Sequence, residues 1–125
     1  MKNKLLVKNK NNTEFLVKVV LEGDTYGRNK CLTHDKSEPL VEFYDYGRSS
    51  NRIRNPYWGE DGKLISRYFI SYLLSDDFKE DGSHQINLHP NIDEWFIDSE
   101  AMKPVIEWLE KTNNDIPKYE SVFKH

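Results

Sequence analysis

The sequence predicts a single α+β domain, an antiparallel sheet of four to five strands packed against one or two helices. Three observations carry that expectation. The N-terminal half alternates apolar and polar residues with the period of two that a half-buried strand requires. The C-terminal half holds one stretch, Met102, Val105, Ile106 and Leu109, with the i, i+3, i+4, i+7 spacing of a helix packed on a core. The chain has 125 residues, enough for one hydrophobic core without disulfide or metal staples.

Phe15–Leu21 is the clearest first-half strand, with β-branched Val17, Val19 and Val20. Leu5–Lys8 pairs with it across the polar turn Lys10-Asn11-Asn12-Thr13. A second turn at Glu22–Gly27 leads to a weak strand near Lys30–Thr33, which Ser37-Glu38-Pro39 interrupts. Leu40–Tyr46 reads as a strand with Val41 and Phe43 on one face and Glu42 and Tyr44 on the other. Gly47–Asn55 is a polar loop, and Asp61-Gly62 is a strong turn dipeptide.

Leu64–Leu74 carries two signals. Apolar residues at 64, 65, 68, 69, 72 and 73 favour a helix, while the Tyr, Phe and Ile content makes a strand the competing reading. Ser75–Ser83 is an acidic loop. Short strands follow at Gln85–His89 and Glu94–Ile97. Asp98 or Ser99 then caps a helix running to about Thr112, with Pro104 tolerated near its first turn. The domain thus spans residues 1–112. Residues 113–125 form a tail whose Ile116, Tyr119, Val122 and Phe123 are able to pack back on it.

Composition narrows the function classes. No apolar run reaches the roughly 20 residues of a membrane span, and Leu5–Val7 is too short for a signal-peptide core, so a cytoplasmic location is expected. Cys31 is the single cysteine, which removes intrachain disulfides and multi-cysteine metal sites. His34 follows it by three residues, a spacing that faces opposite sides of a strand, so an inert thiol is expected. Residues 1–54 carry eleven Lys and Arg against seven Asp and Glu, whereas residues 55–125 carry seven against fourteen. This dipole suits steering of a partner and argues against a general nucleic-acid binder.

The segment Phe43–Tyr72 concentrates eight of the chain's sixteen aromatic residues and four of its five arginines. Phe43, Tyr68, Phe69 and Tyr72 fall on strand or helix periodicities and are expected in the core. Arg48, Arg52 and Arg54, with Tyr57, Trp58 and the downstream Arg67, are left as the candidate contact residues. Guanidinium groups recognise carboxylates and phosphates and stack on rings, and Tyr, Trp and Arg dominate contact energies.

Other motifs fail on their spacing. In the acidic stretch, Asp77, Asp81 and Gly82 match EF-hand positions one, five and six, but Lys79 occupies a ligand position and Leu88 stands where a bidentate Glu is needed. His84 and His89 would project to opposite faces of a strand and are read as surface residues. No phosphate-binding glycine loop, dinucleotide fingerprint, nucleophile elbow or HExxH occurs. No cofactor or metal is implied. The expected function is a small non-enzymatic binding protein, an inhibitor, immunity-type protein or adaptor, contacting a protein partner with an acidic surface. The alternatives are single-stranded nucleic-acid binding through the same loop and a small carboxylate-based hydrolase or transferase.

Overall fold

Asn9 turns the chain back on itself between the first two strands. Its backbone N–H donates to Thr13 O at 3.1 Å, and its side-chain Oδ1 accepts from the N–H groups of Asn11 and Thr13. Asn12 takes the left-handed conformation, φ 65°, that Asn tolerates better than most residues. The strands so joined are β1 (Lys4–Lys8) and β2 (Glu14–Val20). With β3 (Leu40–Asp45) and β4 (Lys63–Phe69) they form one antiparallel sheet in the order β1-β2-β3-β4. The computed structural model describes residues 3–20, 39–47, 57–82, 84–89, 91–92 and 94–115. The expected turn at Glu22–Gly27, the strand near Lys30–Thr33, Cys31, most of the 47–55 loop and residues 116–125 lie outside the described residues.

The rest of the fold runs α1 (Ile70–Leu73), α2 (Asp76–Gly82), β5 (Ile86–Asn87), β6 (Phe96–Ile97) and α3 (Ser99–Asp115). β5 and β6 pair antiparallel as a separate small sheet. One face of the main sheet carries Val7, Phe15, Val17, Val41 and Phe43, all buried against Met102, Val105, Ile106 and Leu109 of α3. Each such side chain, fully removed from water, contributes about 1.5–3 kcal/mol before conformational entropy is counted. The single α+β domain with an antiparallel sheet of four strands agrees with the sequence-based expectation.

Three expectations need correction. Residues 64–69 form a strand, followed by only one turn of helix, so the helical reading of Leu64–Leu74 was wrong over most of its length. The cause is a β-bulge. Phe43 pairs with Ser66 and Tyr44 with Leu64, so Ile65 has no opposite residue and the alternation slips by one. An apolar pattern of i, i+1, i+4, i+5 then results from a strand with apolar residues on both faces.

The acidic loop at 75–83 is largely helix. Ser75 Oγ accepts from the Phe78 N–H at 3.2 Å, an N-cap, and Asp76 and Asp77 occupy the first turn where the helix dipole favours anions. Phe78 is the buried anchor. Pro104 sits in the second turn of α3 rather than its first, where its missing N–H leaves the Glu100 carbonyl without its usual intrahelical donor. The helix starts where the sequence places it: Asp98 precedes Ser99 and its carbonyl accepts the Met102 N–H at 2.9 Å, while its Oδ1 accepts the Lys10 N–H at 2.9 Å and ties the helix start to the β1–β2 turn.

Candidate protein-contact surface

The second face of the main sheet, opposite α3, carries a row of charge. Lys4, Lys18, Glu42 and Arg67 stand opposite one another in register across all four strands. Period-two alternation puts Glu42 there, because its neighbours Val41 and Phe43 occupy the core face. Tyr44, two residues along β3, donates its hydroxyl to Glu42 Oε1 at 2.6 Å, and Arg67 Nε approaches Oε2 at 3.4 Å.

Asp61 completes the row from outside the sheet. Its two oxygens take the ammonium groups of Lys4 at 2.6 Å and Lys18 at 3.2 Å. Partial burial works against its ionisation, but the hydrogen bonds from the two lysines prevail and hold its carboxyl below the usual carboxylate range. The same bond raises the Lys4 ammonium. Burial, then the bond to Glu42, pushes the Tyr44 phenol well up, so it remains a neutral donor.

These bonds clamp the turn that precedes β4 onto the sheet. Within the turn, the Gly62 N–H donates to Gly59 O at 3.1 Å. Gly62 has φ 97°, and a Cβ there would run into the Asp45 carbonyl. Only glycine allows that approach. At the head of this turn Tyr57 is 94% exposed, whereas Trp58 is half-buried.

Of the six residues singled out in the sequence, Tyr57, Trp58 and Arg67 are placed here, with Tyr57 on the clamped turn and Arg67 on the charged face. Arg48, Arg52 and Arg54 lie outside the described residues. Phe43 and Tyr68 pack edge to face at 5.7 Å, as core periodicity implied for Phe43, but Tyr68 is half-buried and Phe69 and Tyr72 are exposed. Lys4, Lys18, Glu42, Tyr44 and Asp61 were not anticipated. The one available signal was Glu42, a charge inside an otherwise apolar strand.

The histidines also differ from expectation. His84 lies half-buried, stacked near Phe78 at 6.2 Å, and its buried Nε2 has no hydrogen-bond partner among the described residues. His89 packs edge to face with Trp95 at 5.7 Å, and its Nδ1 accepts the Asn91 N–H. Among the described residues, no three His, Cys, Asp or Glu side chains gather as a metal site. No helix among them is long and apolar enough to cross a membrane.

Comparison with protein-family models, with curated proteins and with solved structures finds no match. The class that fold and surface define is a small α+β domain with a clamped, charged sheet face.

Proposed function

We propose that this chain is a small non-enzymatic binding protein, of the inhibitor, immunity or adaptor type, that contacts a protein partner with an acidic surface. The observation that carries the reading is the direction of charge on the second sheet face. Its carboxylates turn inward, with side-chain exposure of 1% for Glu42 and 19% for Asp61. Its cations reach outward, with 38% for Lys4 and 45% for Arg67, while Lys18 lies between at 21%. Within this row three cations stand against two carboxylates, and Lys4 and Arg67 are its most exposed members, a balance that favours an acidic partner and speeds its encounter.

Tyr57 adds the other half of a contact. Its ring is 94% exposed at the head of the turn, and Tyr is among the residue types that dominate contact energies. Arg48, Arg52 and Arg54 precede it in the chain and extend the same chemistry on sequence grounds. Catalysis by the carboxylates is the weaker reading, since Glu42 and Asp61 are each engaged by cations or a phenol rather than poised for proton transfer.

The test compares wild type with a Tyr57→Ala/Arg67→Ala variant of confirmed fold, using cross-linking in the native cell and binding to a short single-stranded DNA across a salt series. Loss of one specific acidic partner in the variant is the expected result. Identical partners for both proteins would remove the reading. Binding to the single strand with a log–log salt slope of several units would replace it with nucleic-acid recognition.

A further inference from the structure

At the α1 end of β4 a groove of about 440 Å³ is lined by Leu40, Arg67, Tyr68, Phe69 and Tyr72. Leu40 and Phe69 are cross-strand partners on the second face, beside the Glu42–Arg67 pair. Tyr68 projects from the core face, opposite Val41, and stacks on Tyr72 with centroids 6.0 Å apart and planes at 18°. Tyr72 in turn rests edge-on against buried Phe78 at 5.6 Å. The aromatic wall is therefore braced from behind, while Phe69 and Tyr72 remain exposed at its surface.

Apolar walls dominate, and among the described lining residues the charge is that of Arg67. Arg67 spans two environments: Nε faces the buried Glu42 carboxylate at 3.4 Å, and much of the side chain is exposed at the groove. Glu42 itself is sealed beneath the surface. What the groove offers is thus a cation beside aromatic rings, the complement of an apolar side chain next to a carboxylate.

We infer that this groove seats an aromatic or large apolar side chain of an acidic partner segment, with an adjacent carboxylate of that segment on Arg67. The inference rests on the proposed acidic partner and names the part of it that would be gripped. A ring on the braced Tyr68–Tyr72 pair supplies affinity, and the carboxylate on Arg67 supplies selectivity.

The experiment uses three synthetic hexapeptides: an acidic one with a central Phe, the same peptide with a central Ala, and a Lys-flanked one with the central Phe. Each is titrated into the full chain and followed through its aromatic carbon–proton signals. The acidic Phe peptide is expected to shift Tyr68, Phe69 and Tyr72. Replacing its Phe by Ala, or its acids by Lys, should weaken binding by about tenfold or more, the loss of roughly one anchoring contact. Phe69→Glu, at an exposed position, should abolish binding of the acidic peptide without unfolding the chain.

Equal binding of all three peptides would overturn the proposal, as would acidic-peptide binding unchanged by Phe69→Glu. So would groove shifts that depend on protein concentration alone, which would mean the occupant is a second copy. The two readings fail separately. Tyr57→Ala that keeps every native partner removes the contact turn but leaves the groove standing if peptides bind there. A Phe69→Glu variant that keeps both peptide and partner removes the groove alone.

Discussion

Asp61 and Lys4, fifty-seven residues apart in the chain, meet at 2.6 Å, and that contact fixes the turn before β4 against the first strand. Both side chains are partly in water, so screening limits its worth. Asp61→Asn should cost about 0.5–1 kcal/mol at neutral pH, at the upper end for a solvated pair because two lysines share the carboxylate. The Asp61 carboxyl is lowered in the folded state, so its contribution is complete above the unfolded carboxyl value of about 4 and vanishes as pH falls through the folded value. Urea denaturation of wild type and variant should therefore differ at pH 7 and converge near pH 2.

Asn9 is buried, and its amide makes four hydrogen bonds. Nδ2 donates to the carbonyls of Glu94 at 2.8 Å and Phe96 at 2.9 Å, while Oδ1 accepts two backbone N–H groups of its own turn. Removing it leaves buried backbone groups unpaired. Asn9→Ala should destabilise the domain by about 2–4 kcal/mol. Asn9→Asp, nearly isosteric, should cost at least as much, because a carboxylate would face two carbonyl oxygens. Thermal denaturation of the two variants checks both statements.

Two glycines in the same turn should respond in opposite ways. Gly62 combines a positive φ with close approach to the Asp45 carbonyl, whereas a Cβ on Gly59 would meet nothing within 4 Å. Gly62→Ala should lose more than about 1 kcal/mol, and Gly59→Ala should be neutral or gain a few tenths through the unfolded chain. Chemical denaturation curves of the pair decide the matter.

Tyr44 should resist alkaline ionisation. Its phenol is raised by burial and by its bond to Glu42, so the neutral form is favoured in the folded state. Its contribution is intact below the unfolded phenol value of about 10 and is lost as pH rises through the folded value. Half-buried Tyr68 is raised by burial as well, so absorbance titration near 295 nm should show late-ionising tyrosine in wild type and a smaller late amplitude in Tyr44→Phe. That variant should also lose about 1–2 kcal/mol, since Glu42 would keep its burial but lose a donor.

Local pattern was enough for much of this architecture. The alternation in Phe15–Leu21 and Leu40–Tyr46, the Asp61-Gly62 turn and the stripe from Met102 to Leu109 each specify their element through near-neighbour spacing alone. The failures have separate physical causes. The bulge at Ile65 disguised β4 as a helix, because a slipped alternation and a helical stripe place apolar residues at similar intervals. The Ser75 cap and the acids at 76 and 77 specify a helix start, but this short charged helix has Phe78 as its buried anchor and so lacks the repeated apolar spacing that marks a helix in sequence.

By itself the sequence determined the α+β class, the core helix, the position of Glu42 on the sheet face away from Val41 and Phe43, and the unusual gathering of arginine and aromatic residues. Tertiary structure decided which charges meet. Lys4, Lys18, Glu42 and Arg67 come from four strands, and only pairing register sets them in one row. It also decided that Glu42 and Asp61 would be screened while Lys4 and Arg67 reach solvent, and that Phe69 and Tyr72 would flank a groove rather than fill the core. Spacing along a chain reports the face a residue takes on its own element. What stands opposite, and what lies above it, depends on contacts between distant segments, which no local period encodes.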